Sequence, residues 1–442
     1  MTYTKRTEKW VDDLIEDHMK VICDEVKTSI PQVRSIVLTG GFAKGEGSAV
    51  IYPNNRQVFP VNDYDIYAIT DNPIPLNTLV NLSKKITQRI GAPSFSLFSG
   101  SDHSFYVDLR CLTVGRLKHL PPLIRYFELR NTGRTIEGEN LLPEIPDYKI
   151  SEIPIMDGIR TLFNRMGNLV TYFSPSGIKN NEFDNKNFLI YSCHKCLSSC
   201  GTVLLLLSRN LKLSDSDNLD MIRKIYPHQF PHLHKQLPDL PNKIKLSTNF
   251  LLIPDFTEIK NPVDLWFTTR DSMGLVLQYC VSKVLDEEPC NYQNWSQFSH
   301  KVNINLGKNY LSPFLRELIK GYIGVMPNKL ITSWTSVLTT LYINFLQTYE
   351  IKNQIKCNTL KPLLSPRTPD LNLYSAIPLL LYSIDRRANI DRRMLDIATN
   401  YLSRVYPIGQ ETISDPKIYW EYLRARFTMG LRLFLSSVIT KT

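Results

Sequence analysis

The sequence predicts an α/β domain at the N-terminus followed by a large, mainly α-helical region. Three observations lead there. In residues 1–112, short β-branched or alternating stretches are interleaved with amphipathic ones and with glycine- and proline-rich turns. From about Pro154 onward, apolar residues recur at helical spacing. Pro-rich joints near 227–241 and 361–369 punctuate that second part, and no internal repeat is evident. A chain of 442 residues is long for one core. We divide it into residues 1–150, a helical domain over 151–300 and a basic helical region over 301–442.

The elements follow in order. Val11, Ile15, Met19, Ile22 and Val26 share one face and predict a helix over 7–28, which Pro31 ends. Arg34 to Thr39 is a short β-branched strand running into Gly40-Gly41. Residues 42–62 are turn-rich and form an insertion, a lid or a small hairpin. Asp63 to Thr70 alternates as a second strand. Leu79, Leu82, Ile86 and Ile90 predict a helix after Asn77, and Ser104 to Leu112 a third strand. Further helices are expected at 156–172, 187–210, 263–285, 311–323, 328–350, 371–384, 391–405 and 416–438.

Composition narrows the class. With 43% hydrophobic and 21% charged residues, the chain is an ordinary globular one with no long disordered stretch. Met1 to Trp10 is polar and resembles no secretory signal. The longest apolar run, Val203–Leu207, is too short to span a bilayer. We therefore expect a soluble, cytoplasmic protein with no membrane partner. Eight cysteines thinly spread in such a chain point to free thiols. Cys193, Cys196 and Cys200 fall near one face of a helix and read as small buried hydrophobes, because no second ligand pair completes a zinc site. The formal charge of +10 is concentrated: residues 301–442 hold 19 Lys+Arg against 9 Asp+Glu, partly in Asp385-Arg386-Arg387 and Asp391-Arg392-Arg393. Such a region either binds a polyanion such as RNA or is a solvated helical surface. Its interleaved acids favour the latter.

The chemistry lies in Leu38 to Ser48 and Asn62 to Ile66. On a strand, Asp63 and Asp65 project from one face, and Tyr64, Ile66 and Ala68 from the other. Two carboxylates held so close are costly unless a cation lies between them. Oxygen-only ligands suit Mg²⁺, which also takes phosphate oxygens. Asp108 is out of place at the centre of an apolar strand unless its face is a site. Tyr106 and Arg110 share that face, and Val107 and Leu109 oppose it. Gly40-Gly41 lets the backbone turn sharply and approach a ligand, with N–H groups free to bind phosphate. The turn is not a P-loop, because Glu46 stands where the lysine belongs. Neither is it a Rossmann turn, because the glycine pattern and the long helix are missing.

Strand, Gly-Gly turn, Asp-x-Asp on the next strand and a lone Asp on a later one: residues 34–112 resemble the DNA polymerase β-like nucleotidyltransferase superfamily. Leu38, Gly40 and Gly41 match its first motif, Asp63-Tyr64-Asp65-Ile66 the second, and Asp108 the separate third carboxylate. The 21 residues between Gly41 and Asp63 exceed the spacing of compact members. More weakly, Arg125 to Leu142 looks like the segment that closes the domain with a strand and a glycine turn.

The resemblance implies a short mixed sheet with helices. It implies transfer of an NMP from an NTP substrate to a hydroxyl, with two Mg²⁺ ions, or Mn²⁺, on Asp63, Asp65 and Asp108. Gly40 and Gly41 would contact the triphosphate, and Lys44 would neutralise charge nearby. A basic residue of the helical region, Lys195 or Arg165, would reach the phosphates. The acceptor stays open between a small molecule, an RNA 3′ end and a protein side chain, and a cyclic-nucleotide synthase fits equally. The alternative class is a nucleotide-binding or scaffold protein that keeps the fold without catalysis.

Overall fold

The structure, a computed structural model, describes residues 2–52, 57–61, 63–91, 107–181, 183, 186–287, 294–306, 329–357, 359–409 and 413–434. The expected helix over 311–323 lies outside them, as do residues 104–106 of the third strand and 435–438 of the last helix. The chain forms two compact units. One comprises Met1–Asp157, Leu205–Tyr226 and Pro241–Glu258. The other comprises Gly158–Leu204, Pro227–Leu240 and Ile259–Thr442. Residues 301–442 thus share a unit with the helices before them.

The first unit is built on a small mixed sheet of β1 (Val33–Thr39), β4 (Tyr64–Thr70), β5 (Val107–Thr113) and β6 (Arg134–Gly138), in the order β5-β4-β1-β6. β1 runs antiparallel to β4 and β6, whereas β4 and β5 are parallel. Between β1 and β4 the chain makes a short helix, α2 (Gly40–Lys44), and a separate hairpin of β2 (Ala49–Tyr52) and β3 (Gln57–Pro60). The insertion over 42–62 therefore contains a hairpin.

Strand alternation sorts the side chains onto two apolar layers. Ile36, Leu38, Tyr64, Ile66, Ala68, Val107 and Leu109 pack with Val11, Ile15, Met19, Ile22 and Val26 of α1 (Lys9–Ser29) and with Leu79, Leu82 and Ile86 of α3 (Leu76–Arg89). On the other face, Val37, Tyr67, Ile69 and Leu112 pack with Leu117 of α4 (Val114–Leu117) and with Tyr126 and Leu129 of α5 (Ile124–Thr132). Complete burial of each such aliphatic chain contributes about 1.5–3 kcal/mol, so the two layers fix the register of the strands between them. Residues 2–6 strap the same unit. The backbone N–H groups of Tyr3 and Thr4 donate to Asp12, the N–H of Gly47 donates to the Tyr3 carbonyl, and Arg6 Nε donates to the Ala49 carbonyl.

The helical part begins at α6 (Ile155–Tyr172). It continues through α7 (Gly177–Asn180), α8 (Lys186–Leu207), α9 (Asp215–Gln229), α10 (Pro231–Gln236), α11 (Leu240–Leu252) and α12 (Pro262–Val284). The remaining described α-helices are α13 (Trp295–Lys301), α14 (Lys329–Ile355), α15 (Pro369–Tyr382), α16 (Arg392–Leu402) and α17 (Pro416–Phe434). The core of the second unit is aromatic. Phe173 stacks on Trp266 at 3.7 Å and meets Trp420 edge-on. The Arg270 guanidinium lies over the Phe267 and Tyr382 rings and donates to the Leu381 and Ile384 carbonyls.

The helix α8 is long and apolar enough to cross a membrane, but 78% of its apolar window is buried within the protein, as befits a core helix. Cys193, Cys196 and Cys200 are fully buried on it. Burial pushes the Cys193 thiol up to about 12 and raises the other two, so all three carry protons at neutral pH. Several arginines of the basic last third are tied to internal partners. Arg386 pairs with Asp264, Arg392 with Asp396 and the Ile413 carbonyl, Arg424 with Glu421 and the Thr171 carbonyl, and Arg367 with the Asn303 carbonyl.

Candidate metal centre

Two pairings in the sheet bring the acids together. Asp65 lies opposite Thr39 of β1 on one side and opposite Asp108 of β5 on the other. Asp63 immediately precedes β4. Carboxylate oxygens of Asp63, Asp65 and Asp108 lie within 4.8 Å of one another, and all three residues are half-buried. Among the described residues this is the one group of three or more His, Cys, Asp or Glu side chains close enough to share a metal ion. The donors are all oxygens and include no thiolate or imidazole, which fits a hard divalent cation such as Mg²⁺ or Mn²⁺. Two unit charges at that separation repel by roughly 3 kcal/mol at an effective dielectric constant of about 20, and by less where water reaches them. Partial exposure keeps the cluster tolerable, and a cation would relieve it.

The glycine turn abuts this group. Gly40 has φ +72°, in the region that disfavours side chains, and a Cβ there would come within 2.7 Å of Asp65 Oδ2. The backbone of the turn therefore lies directly against a carboxylate oxygen of the triad. Gly45, also at φ +72°, ends α2 in a left-handed cap, its N–H donating to Gly41 and Phe42. Replacing Gly40 by Ala should cost about 1–3 kcal/mol of stability from backbone strain and contact with Asp65. It should also weaken Mn²⁺ binding by displacing that carboxylate. Chemical denaturation and Mn²⁺ titration of the variant read the two effects separately.

A cation already touches the acids. Arg110 lies on the same face two residues beyond Asp108 and opposite Tyr67. Its Nη2 donates to Asp108 Oδ2 and sits 3.6 Å from Asp65 Oδ1, while Nη1 donates to the Tyr67 hydroxyl at 3.3 Å. Burial lowers the pKa of the guanidinium, but the Asp108 and Asp65 carboxylates beside it outweigh that and hold it well above its ordinary value. The pattern of side chains placed Arg110 on this face but gave it no role. Its spacing of two from Asp108 was the available signal.

Lys44, which the resemblance places near the phosphates, lies among carboxylates. Its Nζ lies 3.4 Å from Glu128 of α5, 3.5 Å from Asp215 of α9 and 4.0 Å from Glu46, and the side chain is only 11% exposed. Burial pulls its pKa down, yet the three carboxylates together hold it above the usual lysine range. Glu46 in turn accepts the Ser214 hydroxyl and the Asp215 N–H, which ties the glycine turn to the start of α9. Burial and the Asp215 charge raise the Glu46 carboxyl above its ordinary value. Lys195 belongs to the second unit, where its Nζ lies over the Tyr191 ring at 5.0 Å. Asn164 and Arg165 also belong there. Asn164 accepts the Tyr374 hydroxyl, and the Arg165 carbonyl accepts the Cys196 thiol.

Neither a protein-family model nor a curated protein matches the chain.

Proposed function

We propose that the chain is a metal-dependent nucleotidyltransferase of the polymerase β-like kind, moving an NMP from an NTP to an acceptor hydroxyl. The observation that carries the proposal is the convergence of Asp63, Asp65 and Asp108 beside a glycine turn whose backbone lies against Asp65. Three oxygen donors on adjacent strands suit a hard cation, and an adjacent turn without side chains suits a triphosphate.

In the proposed reaction, the acceptor hydroxyl gives up its proton to solvent water, its oxygen bonds to the α-phosphorus, the bond from that phosphorus to the bridging β-phosphate oxygen breaks, and pyrophosphate leaves. Mg²⁺ held by the triad supplies a lowered pKa for the attacking hydroxyl and charge compensation for the leaving oxygen. Asp63 and Asp65 would hold both cations, Asp108 would bind the catalytic one and help activate the acceptor hydroxyl, and Gly40 and Gly41 would admit the phosphates without steric conflict.

Incubation of the purified chain with each α-labelled NTP and Mg²⁺ or Mn²⁺ tests this, with total RNA, cell metabolites and protein offered separately. Label should move to one acceptor class, and Asp63→Ala should abolish the transfer. A folded Asp63→Ala protein with undiminished turnover would falsify the assignment. Metal-independent NTP binding without transfer would identify a non-catalytic scaffold instead.

A further inference from the structure

We infer that Arg110 is a positioning residue for the triad: it holds Asp108 in place and sets the affinity of the site for divalent cations. The inference rests on the metal reading above and adds to it a residue outside the ligand set.

Arg110 touches two of the three carboxylates on the same face of the sheet, through Asp108 Oδ2 and beside Asp65 Oδ1. It is itself held. The Tyr67 hydroxyl accepts from Nη1, the guanidinium carbon lies 5.8 Å from the centre of the Tyr67 ring, and Tyr67 is buried in the layer beneath α5. Tyr67, Arg110 and Asp108 thus form a chain that runs from the apolar layer to the triad. A planar fork with fixed donor directions fixes the carboxylate it grips.

Two consequences follow from charge and shape. The guanidinium cancels one of three negative charges, so it competes electrostatically with an incoming cation. It also engages one oxygen of Asp108, so a cation that binds with Arg110 still in place approaches the other. Removing the charge should tighten cation binding while loosening the aim of Asp108, a combination that a purely structural residue does not give.

The test is a Mn²⁺ titration of the full chain, followed by the electron paramagnetic resonance of free Mn²⁺, which needs neither nucleotide nor acceptor. Arg110→Met should bind Mn²⁺ roughly tenfold more tightly than wild type, the size expected when one opposing charge leaves a partly buried carboxylate group. Arg110→Gln, the milder change for folding, should tighten binding similarly. Arg110→Lys keeps the charge but loses the fork, and should stay within about twofold of wild type. Any transfer activity should fall in all three. Unchanged or weaker Mn²⁺ binding by both neutral variants overturns the role of Arg110, provided Asp63→Asn loses Mn²⁺ binding. Equal Mn²⁺ binding by wild type and Asp63→Asn overturns the metal reading itself, and the role of Arg110 with it.

Discussion

If the proposed reaction is right, Asp63→Asn should abolish Mn²⁺ binding and lower nucleotidyl transfer by on the order of a thousandfold or more, while the metal-free protein becomes slightly more stable. The two effects have opposite signs for one reason. A cation and its ligands contribute several kcal/mol to a transition state that gathers charge on phosphate oxygens, and each 1.36 kcal/mol is a factor of ten in rate. Without a cation, the same carboxylate repels Asp65 and Asp108 across less than 5 Å. Its neutralisation should relieve on the order of 1 kcal/mol after allowance for water at a half-buried site. Asp63 is the informative position because Arg110 engages the other two acids. Asp108→Asn removes repulsion but also the partner of the half-exposed Arg110 guanidinium, so its stability change should be smaller or reversed. Thermal melts in EDTA and in Mn²⁺ check both signs. A metal-free Asp63→Asn protein less stable than wild type contradicts the electrostatic account.

Lys44→Met should produce the largest loss of stability of any single change considered, about 3–5 kcal/mol. Removing one partner from a buried ion pair strands the other, and here Glu46 is stranded in the interior while Glu128 and Asp215, which water partly reaches, lose their shared cation. The pH dependence separates this from simple misfit. With Lys44 present, its folded pKa is raised. Its contribution is then complete below the ordinary lysine pKa and is lost only as pH rises through the folded value, so it should be flat across neutral pH. Without Lys44, Glu46 keeps the carboxyl that burial and the Asp215 charge already raise above its ordinary value, and loses the cation that opposed them. The folded state then binds more protons than the unfolded state, and acidification stabilises it. The deficit of Lys44→Met against wild type should therefore narrow as pH falls from 7 to about 5 in urea denaturation. A deficit that is constant over that range points to packing rather than charge.

Much of the first unit was legible in the sequence because its strands alternate cleanly. Tyr64, Ile66 and Ala68 do face one apolar layer, while the acids on either side of Tyr64 converge with Asp108. The helices over Lys9–Ser29, Ile155–Tyr172 and Pro262–Val284 fall within one or two residues of their apolar periodicity. The stretch from 227 to 241 does separate helices, since α9 stops at Gln229, α10 spans Pro231–Gln236 and α11 starts at Leu240, but it holds a helix of its own. Pro231 opens α10, and Pro241 is the second residue of α11, positions where the missing N–H has no helical partner to lose. Only Pro227 lies inside a helix, in the last turn of α9. Proline there marks where helices begin rather than where structure stops.

The partners of Lys44 were not legible for another reason. Glu128 and Asp215 are 84 and 171 residues away, and no local pattern carries such distances. Helical periodicity likewise describes a face without saying what covers it. The arginines of the last third illustrate this, since the charge count alone did not reveal that Asp264, Asp396 and Glu421 stand beside them.

The separation of the β2–β3 hairpin from the four-stranded sheet divides the chain by how it bears changes of length. The sheet keeps parity. Deleting one residue within β4 would shift its alternation, sending an acid into the layer where Ile66 sits and an aliphatic chain to the face of Asp108. The hairpin keeps no such count, because among the described residues β2 and β3 join no strand of the larger sheet, although Gly47 and Ala49 at its start are tied to Tyr3 and Arg6. Residues can be added or removed between β2 and β3 while Asp65 still meets Asp108. Relatives of this chain should therefore differ most in length between Tyr52 and Gln57 and hardly at all within β1, β4 and β5, which makes that interval the place to insert a reporter or a tag.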